Sequence, residues 1–204
     1  MERGYMVNQE IEKEMKIMIS ETQYEELIKE LPSSKQIRNI NFYFDDLDRQ
    51  MIFNGNTVRV RANKEKMYLQ FKSHIEKNGY TTVSKEFSKK LETLPYCIDS
   101  KILFELTGVR YPDVFLLGFL VTDRIICTLN SKIQIMLDKN TYLGCLDHEI
   151  EIEYTCEESE LQEALKILKK YKVEISGERE IISKSCRFAQ KYYNDLKYVI
   201  PKDG

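Results

Sequence analysis

The 204-residue sequence predicts a single α+β domain in which antiparallel strands dominate and a few helices lie around them. Segments in which charged and apolar residues alternate recur along the chain, and this period of two is typical of strands. Short turn signals separate several of these segments, as expected for hairpins. The sequence contains no repeat, low-complexity tract or Pro/Gly-rich linker, which favours one domain over residues 1–204.

The first strand is predicted over residues 10–16, Glu-Ile-Glu-Lys-Glu-Met-Lys. In a strand, Glu10, Glu12, Glu14 and Lys16 share one face, because side chains alternate between faces. A row of like charges on one face is repulsive. Water, cations or basic side chains opposite must therefore compensate it.

A helix and a second strand are predicted next. Ser20, with Gln23 three residues later, forms a capping-box pattern, and apolar residues then recur at helical spacing up to Leu31. Pro32 ends this helix. Residues 37–45 are rich in β-branched and aromatic side chains, which favour a strand.

The middle of the chain predicts two hairpins. Residues 57–62 and 67–72 pair around the polar turn between them, and Asn78-Gly79 is a strong turn signal before a strand over 80–87. Later, residues 122–129 and 132–138 read as a hairpin that turns at Asn130-Ser131.

The region between these hairpins and the C-terminal third predict helices as well as one more strand. Apolar spacing within 99–120 favours one or two short helices, interrupted at Gly108 and Pro112. Residues 145–154 alternate acids with isoleucines and predict a strand, whereas helical periodicity predicts helices over 159–171 and 183–196.

Composition limits the possible functions. The chain has 31 basic and 33 acidic side chains, a balance that argues against a general nucleic-acid surface. Five widely spaced cysteines without a CxxC pair favour reduced thiols over a zinc site or a disulfide framework. The longest apolar run, residues 114–121, is far shorter than the about 20 residues of a membrane helix. We expect a cytoplasmic protein that binds neither nucleic acid nor membranes.

Two acidic rows form a candidate metal site. Glu149, Glu151 and Glu153 repeat the alternation of the N-terminal acids. Carboxylates two residues apart on a strand can point into one cavity, and Mg²⁺ prefers oxygen ligands. The alternative is a solvent-facing edge kept soluble by its acids. The repetition of the pattern favours the metal site.

Basic side chains on two neighbouring strands form a candidate anion site. Arg59 and Arg61 share one strand face, and Lys72 ends the next strand with Gln70 on its own face. Arginine suits bidentate phosphate recognition, so three such side chains could bind a triphosphate. The alternative is cross-strand ion pairing with the acidic strands, which contributes little at a surface.

Several segments, taken in order, resemble the triphosphate tunnel metalloenzyme family, also called the CYTH domain. The resemblance covers about residues 9–192. It is carried by the ExExK pattern at 12–16, N-x-Y-F-D at 41–45, R-x-R at 59–61, a lysine-ending strand at 69–72, a stretch ending in Arg124, Asp138 followed by the acids at 149–151, and a lysine motif at 183–188.

The resemblance implies an antiparallel β-barrel that forms a tunnel, with charged side chains inside and helices outside. It implies that the triphosphate is bound by Lys16, Arg59, Arg61, Lys72, Arg124 and Lys184. It implies that Mg²⁺ or Mn²⁺ is held by Glu12, Glu14, Asp138, Glu149 and Glu151. Among these residues, Lys16, Arg59, Arg61 and Glu149 are expected to act in catalysis, and Glu153 and Glu86 match more loosely.

The resemblance also implies a metal-dependent hydrolase that removes the terminal phosphate of tripolyphosphate or of an organic triphosphate. In this hypothesis the metal ions bridge phosphate oxygens and activate water, while the basic side chains stabilise the leaving group. Two alternatives stay open, an adenylate cyclase of the same fold and a non-catalytic polyphosphate- or nucleotide-binding protein. Residues 6–8 lack the His-Phe pair frequent in the cyclases. A homodimer also stays open. His74 is expected on a surface loop, and His148 in a structural role.

Overall fold

The computed structural model describes residues 8–32, 35–64, 66–78, 81–128, 133–155, 158–170, 173 and 182–199. Its strands are β1 (Asn8–Ile19), β2 (Lys35–Asp45), β3 (Asn56–Asn63), β4 (Lys66–Asn78), β5 (Thr81–Leu91), β6 (Cys97–Ile98), β7 (Val114–Thr128), β8 (Ile133–Tyr142) and β9 (Cys145–Tyr154). Its helices are α1 (Glu21–Glu30), α2 (Ser100–Thr107), α3 (Glu158–Lys170) and α4 (Lys184–Val199).

The strands close into an antiparallel barrel, as the sequence predicted. Their order is β2-β3-β4-β5-β1-β9-β8-β7, and β2 also pairs with β7, which joins the two edges of the sheet. The short β6 pairs with the start of β7 and stays outside this closed ring of eight strands. Closure leaves the eight strands without free edges, so every long strand is paired on both sides.

The barrel has an apolar outside and a charged inside, and strand β1 shows why. Met15, Ile17 and Ile19 alternate with Glu14 and Lys16, so a strand with this sequence must send its charges to the opposite side from its apolar groups. The three apolar side chains are buried in a core outside the barrel wall. The acid and the lysine face the interior instead.

Two helices cover one side of the barrel. Ser20 and Gln23 form the predicted capping box at the start of α1. Leu27 of α1 and Leu168 of α3 are fully buried in the core that also takes the outward side chains of β1, β8 and β9. The predicted apolar stripe of α3 is therefore confirmed, although residue 171 of the expected helix lies outside the described residues.

Helix α2 covers the wall formed by β3, β4 and β5. Asp99 caps its N-terminus by accepting a hydrogen bond from the backbone N–H of Ile102 at 2.8 Å. Gly108 ends the helix in the left-handed region at φ 75°, a conformation that glycine adopts without strain. Leu103 and Leu106 bury the apolar face of the helix against the barrel.

Helix α4 is seated at one end of the barrel. Phe188 packs against Tyr43, whose ring also borders the interior, with 5.2 Å between ring centroids. A Cβ atom on Gly118 would lie 3.2 Å from the Phe188 ring, so β7 and the helix approach closely there. Tyr193 donates a hydrogen bond to the buried carboxylate of Asp45 at 2.7 Å and fixes the helix to β2.

The prediction for residues 99–120 is correct in its first half, where one short helix ends at Gly108, and wrong in its second half. Helical structure within residues 99–120 stops at Thr107, and Val114–Thr128 is instead a 15-residue strand. This strand lies between β2 and β8, and the side chains at its start meet helix α4 on one face and apolar core on the other. Because apolar residues occupy both faces of this part of the strand, its sequence does not show the period of two.

The acidic strand has the predicted bounds, Cys145–Tyr154, and the hairpin strands lie where they were predicted, most of them with longer ends. The turn residues 79–80 and 129–132, and Cys156, lie outside the described residues. Cys97, Cys127, Cys145 and Cys186 are free thiols. In the part of the chain that the structure describes, no helix combines the length and the hydropathy needed to cross a membrane.

Candidate functional site

The interior of the barrel is a narrow, strongly charged tunnel. Charged side chains reach it from several strands and from the start of α4, because each contributing strand turns its polar face inward. The charged lining residues are Glu12, Glu14, Lys16, Arg59, Arg61, Lys72, Glu86, Arg124, Glu151, Glu153 and Lys184. Neutral polar groups complete the lining, namely Asn39, Asn41, Tyr43, Thr57, His74, Thr122, Ser183 and Ser185.

The tunnel brings together the residues that the sequence singled out. Of the eleven predicted site residues, all except Asp138 and Glu149 line the tunnel directly. Those two are 0% exposed and lie behind Lys184, which contacts both carboxylates. The structure therefore places the eleven side chains in one continuous cluster, whereas their roles in binding and catalysis stay predictions.

Asp138, Glu149 and Glu151 form an acidic trio that fits a divalent metal ion. Asp138 on β8 and Glu149 on β9 are direct cross-strand partners, and Glu151 follows on the same face of β9. One carboxylate oxygen from each lies within 4.8 Å of the others, and all three side chains are buried. Converging carboxylate oxygens in a buried pocket are the ligands that Mg²⁺ and Mn²⁺ prefer.

Basic side chains neutralise this trio. Lys184 lies 2.7 Å from Asp138 Oδ2, 2.7 Å from Glu151 Oε1 and in contact with Glu149. Arg124 donates two hydrogen bonds to Asp138, at 2.8 and 2.7 Å, and contacts Glu151 as well. Burial alone would raise the pKa of Glu151, but Lys184, Arg124 and Lys16 outweigh it and hold that pKa well below the usual range.

The acids of β1 pair with lysines from both sides. Glu14 accepts hydrogen bonds from Lys16 at 2.6 Å and from Lys72 at 2.7 Å, and Lys72 also contacts Glu12. Burial would raise the pKa of Glu14, but these two ammonium groups lower it overall. Glu86 on β5 lies 3.2 Å from Lys72, so it belongs to the same group of charges.

The arginines of β3 form a positive wall with little compensation. Arg59 donates to Gln70 at 2.9 Å and lies 3.8 Å from Glu86. Arg61 donates to the neutral Asn41 at 3.0 Å, and no carboxylate of the described residues lies within 4.0 Å of it. Burial, together with repulsion from Arg59 and Arg124, lowers the pKa of Arg61 to about 10. A half-buried cation whose described hydrogen-bond partner is a neutral amide is a position prepared for an anion.

One acid at the edge of the tunnel differs from the others. Burial, and a hydrogen bond shared with Glu12, raise the pKa of Glu153 to about 8. Glu10, Glu12, Glu86 and Glu153 also border an adjoining open cavity, so this is where the tunnel meets its outer chamber.

Sequence reasoning missed a second cation on α4. Arg187 donates hydrogen bonds to Asp147 at 2.9 and 3.1 Å and to Glu149 Oε2 at 2.8 Å. Its position three residues after Lys184, on the same face of the helix, was the available signal. The polar residues of β2 were also missed, although Asn39, Asn41 and Tyr43 alternate as an inward face should.

The prediction made for His74 is wrong, whereas the one made for His148 agrees with the structure. His74 was expected on a surface loop, and this is wrong, since it lies in β4 and lines the tunnel two residues after Lys72. The strand simply continues beyond the expected end, and the period of two carries His74 to the inner face. His148 is structural as expected, being buried on the outer face with its ring 4.6 Å from that of Tyr24.

Comparison with known proteins identifies what this arrangement resembles. The model of the CYTH domain family matches residues 10–184. A candidate adenylate cyclase from Bacillus halodurans is 23% identical, covering 88% of this chain and 98% of its own, with a TM-score of 0.68. A candidate adenylyl cyclase from Hippeastrum is described as having a dominant triphosphatase activity. It is 19% identical to this chain, and the match covers 88% of this chain and 95% of the Hippeastrum protein, with a TM-score of 0.69.

A third structure extends the similarity to an archaeal protein. A protein from Pyrococcus horikoshii OT3 is 18% identical, with 80% of this chain and 91% of its own covered and a TM-score of 0.55. No curated protein matches the chain. At these identities the structural similarities show a shared fold.

Proposed function

Since the chain belongs to the CYTH domain family, we propose that it is a divalent-metal-dependent triphosphatase that cleaves the terminal phosphate of a triphosphate inside the tunnel. The observation that carries the proposal is the separation of charge across this cavity. The wall around Arg59 and Arg61 has little acidic compensation, whereas the opposite wall carries the acidic trio of Asp138, Glu149 and Glu151. A polyanion between these walls meets cations on one side and metal ligands on the other.

The arginine wall is suited to bind phosphoryl oxygens. The Arg59 and Arg61 side chains project two residues apart from one strand, and each uses its Nε–H to reach a neutral amide. The terminal nitrogens of Arg61 are therefore available to a ligand, and guanidinium groups match phosphate oxygens in a bidentate manner. Binding would also relieve the repulsion among Arg59, Arg61 and Arg124.

The acidic trio, with Glu12 and Glu14, is the set of residues that would hold the metal ions. When bound, Mg²⁺ or Mn²⁺ neutralises phosphate charge and makes water a stronger nucleophile. The lysines that lie between these acids would have a different role. Lys16 and Lys72 favour the ionised form of Glu14 in the closed interior, which is the form that binds a metal ion.

The chain's own cations would also favour the transition state. Phosphoryl transfer moves negative charge toward the leaving oxygen, and fixed cations stabilise that charge without reorganising. Lys16, Lys72 and Arg124 are held by two or more hydrogen bonds or ion pairs each and so are already positioned. The closed barrel wall limits the access of bulk water, which strengthens these interactions.

Phosphate release by the purified protein tests this function. We would measure it with Mg²⁺ and then Mn²⁺ on tripolyphosphate, ATP and thiamine triphosphate in parallel, with metal-free buffer as the control. Release from tripolyphosphate alone would identify an inorganic triphosphatase, and release from an organic triphosphate would assign the wider substrate class. Cyclic AMP formed from ATP without phosphate release would overturn the proposal in favour of a cyclase. No product from any substrate would overturn it in favour of a binding protein.

A further inference from the structure

One side chain, Lys184, occupies the centre of the acidic trio. Its ammonium contacts one oxygen of each member, Asp138 Oδ2, Glu149 Oε1 and Glu151 Oε1. Lys184 donates a hydrogen bond to Glu151 Oε1 at 2.7 Å, whereas the buried Glu149 Oε1 accepts no hydrogen bond from the described residues. Lys184 is thus bound in the place, and by the residues, that suit a divalent ion.

The remaining oxygens of the trio are occupied as well. Arg124 binds both oxygens of Asp138 and contacts Oε2 of Glu151. Arg187 binds Oε2 of Glu149. A divalent ion can occupy the point where these oxygens converge only if the Lys184 ammonium leaves it, because two cations cannot occupy the same position and repel each other.

Lys184 is the cation best able to leave. Arg124 is fixed by a bidentate pair with Asp138, and Arg187 is fixed by a second bidentate pair with Asp147. Lys184 carries a single point charge on a flexible four-carbon stem, at the first position of α4, and its side chain borders the open tunnel. A change of rotamer would carry its ammonium from the trio into the tunnel without moving the helix.

We propose that Lys184 is an exchangeable counter-ion, which fills the metal site in the metal-free protein and moves to the triphosphate when a divalent ion takes its place. The exchange conserves the pairing of charge, since the acids gain the metal and the ammonium gains a phosphate oxygen. It depends on the proposed binding of metal and triphosphate at this site, but not on hydrolysis.

The exchange makes metal binding and triphosphate binding favour each other. Without triphosphate, the metal must displace Lys184 into a tunnel that already contains the cations Arg59 and Arg61. With triphosphate present, the displaced ammonium has an anionic partner. Couplings of this kind are typically about 5- to 150-fold in affinity, and they act equally in both directions.

Calorimetric titration of Mn²⁺ alone into the metal-free protein tests the exchange. Lys184→Gln removes the competing cation, so we expect it to bind Mn²⁺ on the order of tenfold more tightly than wild type, within the range of such couplings. Arg61→Gln is the matched control, because it removes a tunnel cation that has no carboxylate within 4.0 Å among the described residues. Lys191→Gln makes the same substitution at a partly exposed position of α4, where the lysine pairs with Asp195.

The pattern of the three variants decides the result. The expected result is a clearly larger gain in Lys184→Gln than in Arg61→Gln, which removes only a neighbouring tunnel cation, and no gain in Lys191→Gln. Equal gains in Lys184→Gln and Arg61→Gln would show a general effect of charge and would overturn the exchange. Unchanged or weaker Mn²⁺ binding by Lys184→Gln would overturn it as well.

A second measurement uses wild-type protein and does not depend on how a variant folds. Crystals grown with and without Mn²⁺ would locate the metal by anomalous diffraction and show the Lys184 ammonium in both states. We expect Mn²⁺ among the trio and the ammonium displaced out of contact with all three acids. Mn²⁺ bound elsewhere, with Lys184 still on the trio, would contradict the exchange. Both experiments read binding alone, so they can succeed in a protein that hydrolyses no triphosphate.

Discussion

Replacing Arg61 with glutamine should have opposite effects on stability and on ligand binding. Arg61 is half-buried near two other arginines and has only the neutral Asn41 as a described hydrogen-bond partner. Its side chain therefore destabilises the ligand-free protein, whereas the same side chain is prepared for a polyanion. The Arg61→Gln substitution keeps a polar group that can still reach Asn41, but it removes the repelled charge.

The size of the effect on stability follows from the shifted pKa. A pKa lowered from 12.5 to about 10 corresponds to on the order of 3 kcal/mol of unfavourable interaction with the charged form, at about 1.4 kcal/mol per unit. Loss of part of the hydrogen bond to Asn41 would offset about 1 kcal/mol of this gain. We expect a net stabilisation of about 1–2 kcal/mol, which for a chain of this length raises Tm by a few degrees.

The effect on ligand binding has the opposite sign. Hydrogen bonds to charged groups contribute about 1.5–3 kcal/mol, so tripolyphosphate should bind Arg61→Gln about 10- to 150-fold more weakly than wild type. Thermal unfolding of the metal-free protein and calorimetry with tripolyphosphate measure the two effects. Arg38→Gln is the matched control, since Arg38 forms an exposed pair with Asp123 at 2.6 Å outside the tunnel. A lower Tm in Arg61→Gln together with unchanged tripolyphosphate affinity would refute the reasoning.

Three further predictions concern the helix at the barrel end, the loop after β2 and the metal. Phe188→Ala should lower the free energy of unfolding by about 3–5 kcal/mol, because the fully buried ring packs on Tyr43. Unfolding in denaturant measures this loss, and a loss under about 1 kcal/mol would contradict the packing. Burial would raise the pKa of Asp46, but backbone N–H groups of Met51 and Gln50 outweigh it and lower this pKa. The resulting stability is present above the ordinary Asp range and is lost as the pH falls through the lower folded pKa. Thermal unfolding from mildly acidic to strongly acidic pH should therefore be less pH-dependent in Asp46→Asn, and an identical pH profile would count against these hydrogen bonds. Removing divalent ions with a chelator should abolish phosphate release. It should hardly change Tm, because Lys184 and Arg124 still neutralise the acidic trio. A protein that unfolds without metal would contradict this prediction.

Most of the barrel was predictable because its strands carry a strong period of two. The acids of β1 and β9 and the arginines of β3 each alternate with apolar residues, so the local sequence already separates an inner from an outer face. Strand β7 was not predictable at its start. Residues 114–121 are apolar on both faces, because α4 covers the side that elsewhere faces the tunnel, and an apolar run of this length also suits a helix.

The sequence predicted which charged residues form the candidate site, but not which of them form ion pairs with each other. Alternation and the resemblance placed Lys16, Arg59 and Glu151 inside one cavity, and the structure confirms that placement. The contacts of Lys184 with the acidic trio depend on how α4 is seated on the barrel end, which no local pattern encodes. The same holds for Arg187, whose acidic partners Asp147 and Glu149 lie 40 and 38 residues earlier in the chain.

The most direct measurement is Mg²⁺-dependent phosphate release from tripolyphosphate by wild type, Glu12→Gln and Arg59→Gln, with Lys191→Gln, outside the tunnel lining, as control. The first two variants remove a metal ligand and a phosphate ligand on different strands, so each should abolish turnover while circular dichroism shows a folded protein. Lys191→Gln should match wild type. Near-wild-type release by Glu12→Gln or Arg59→Gln would show that the tunnel charges do not perform the reaction.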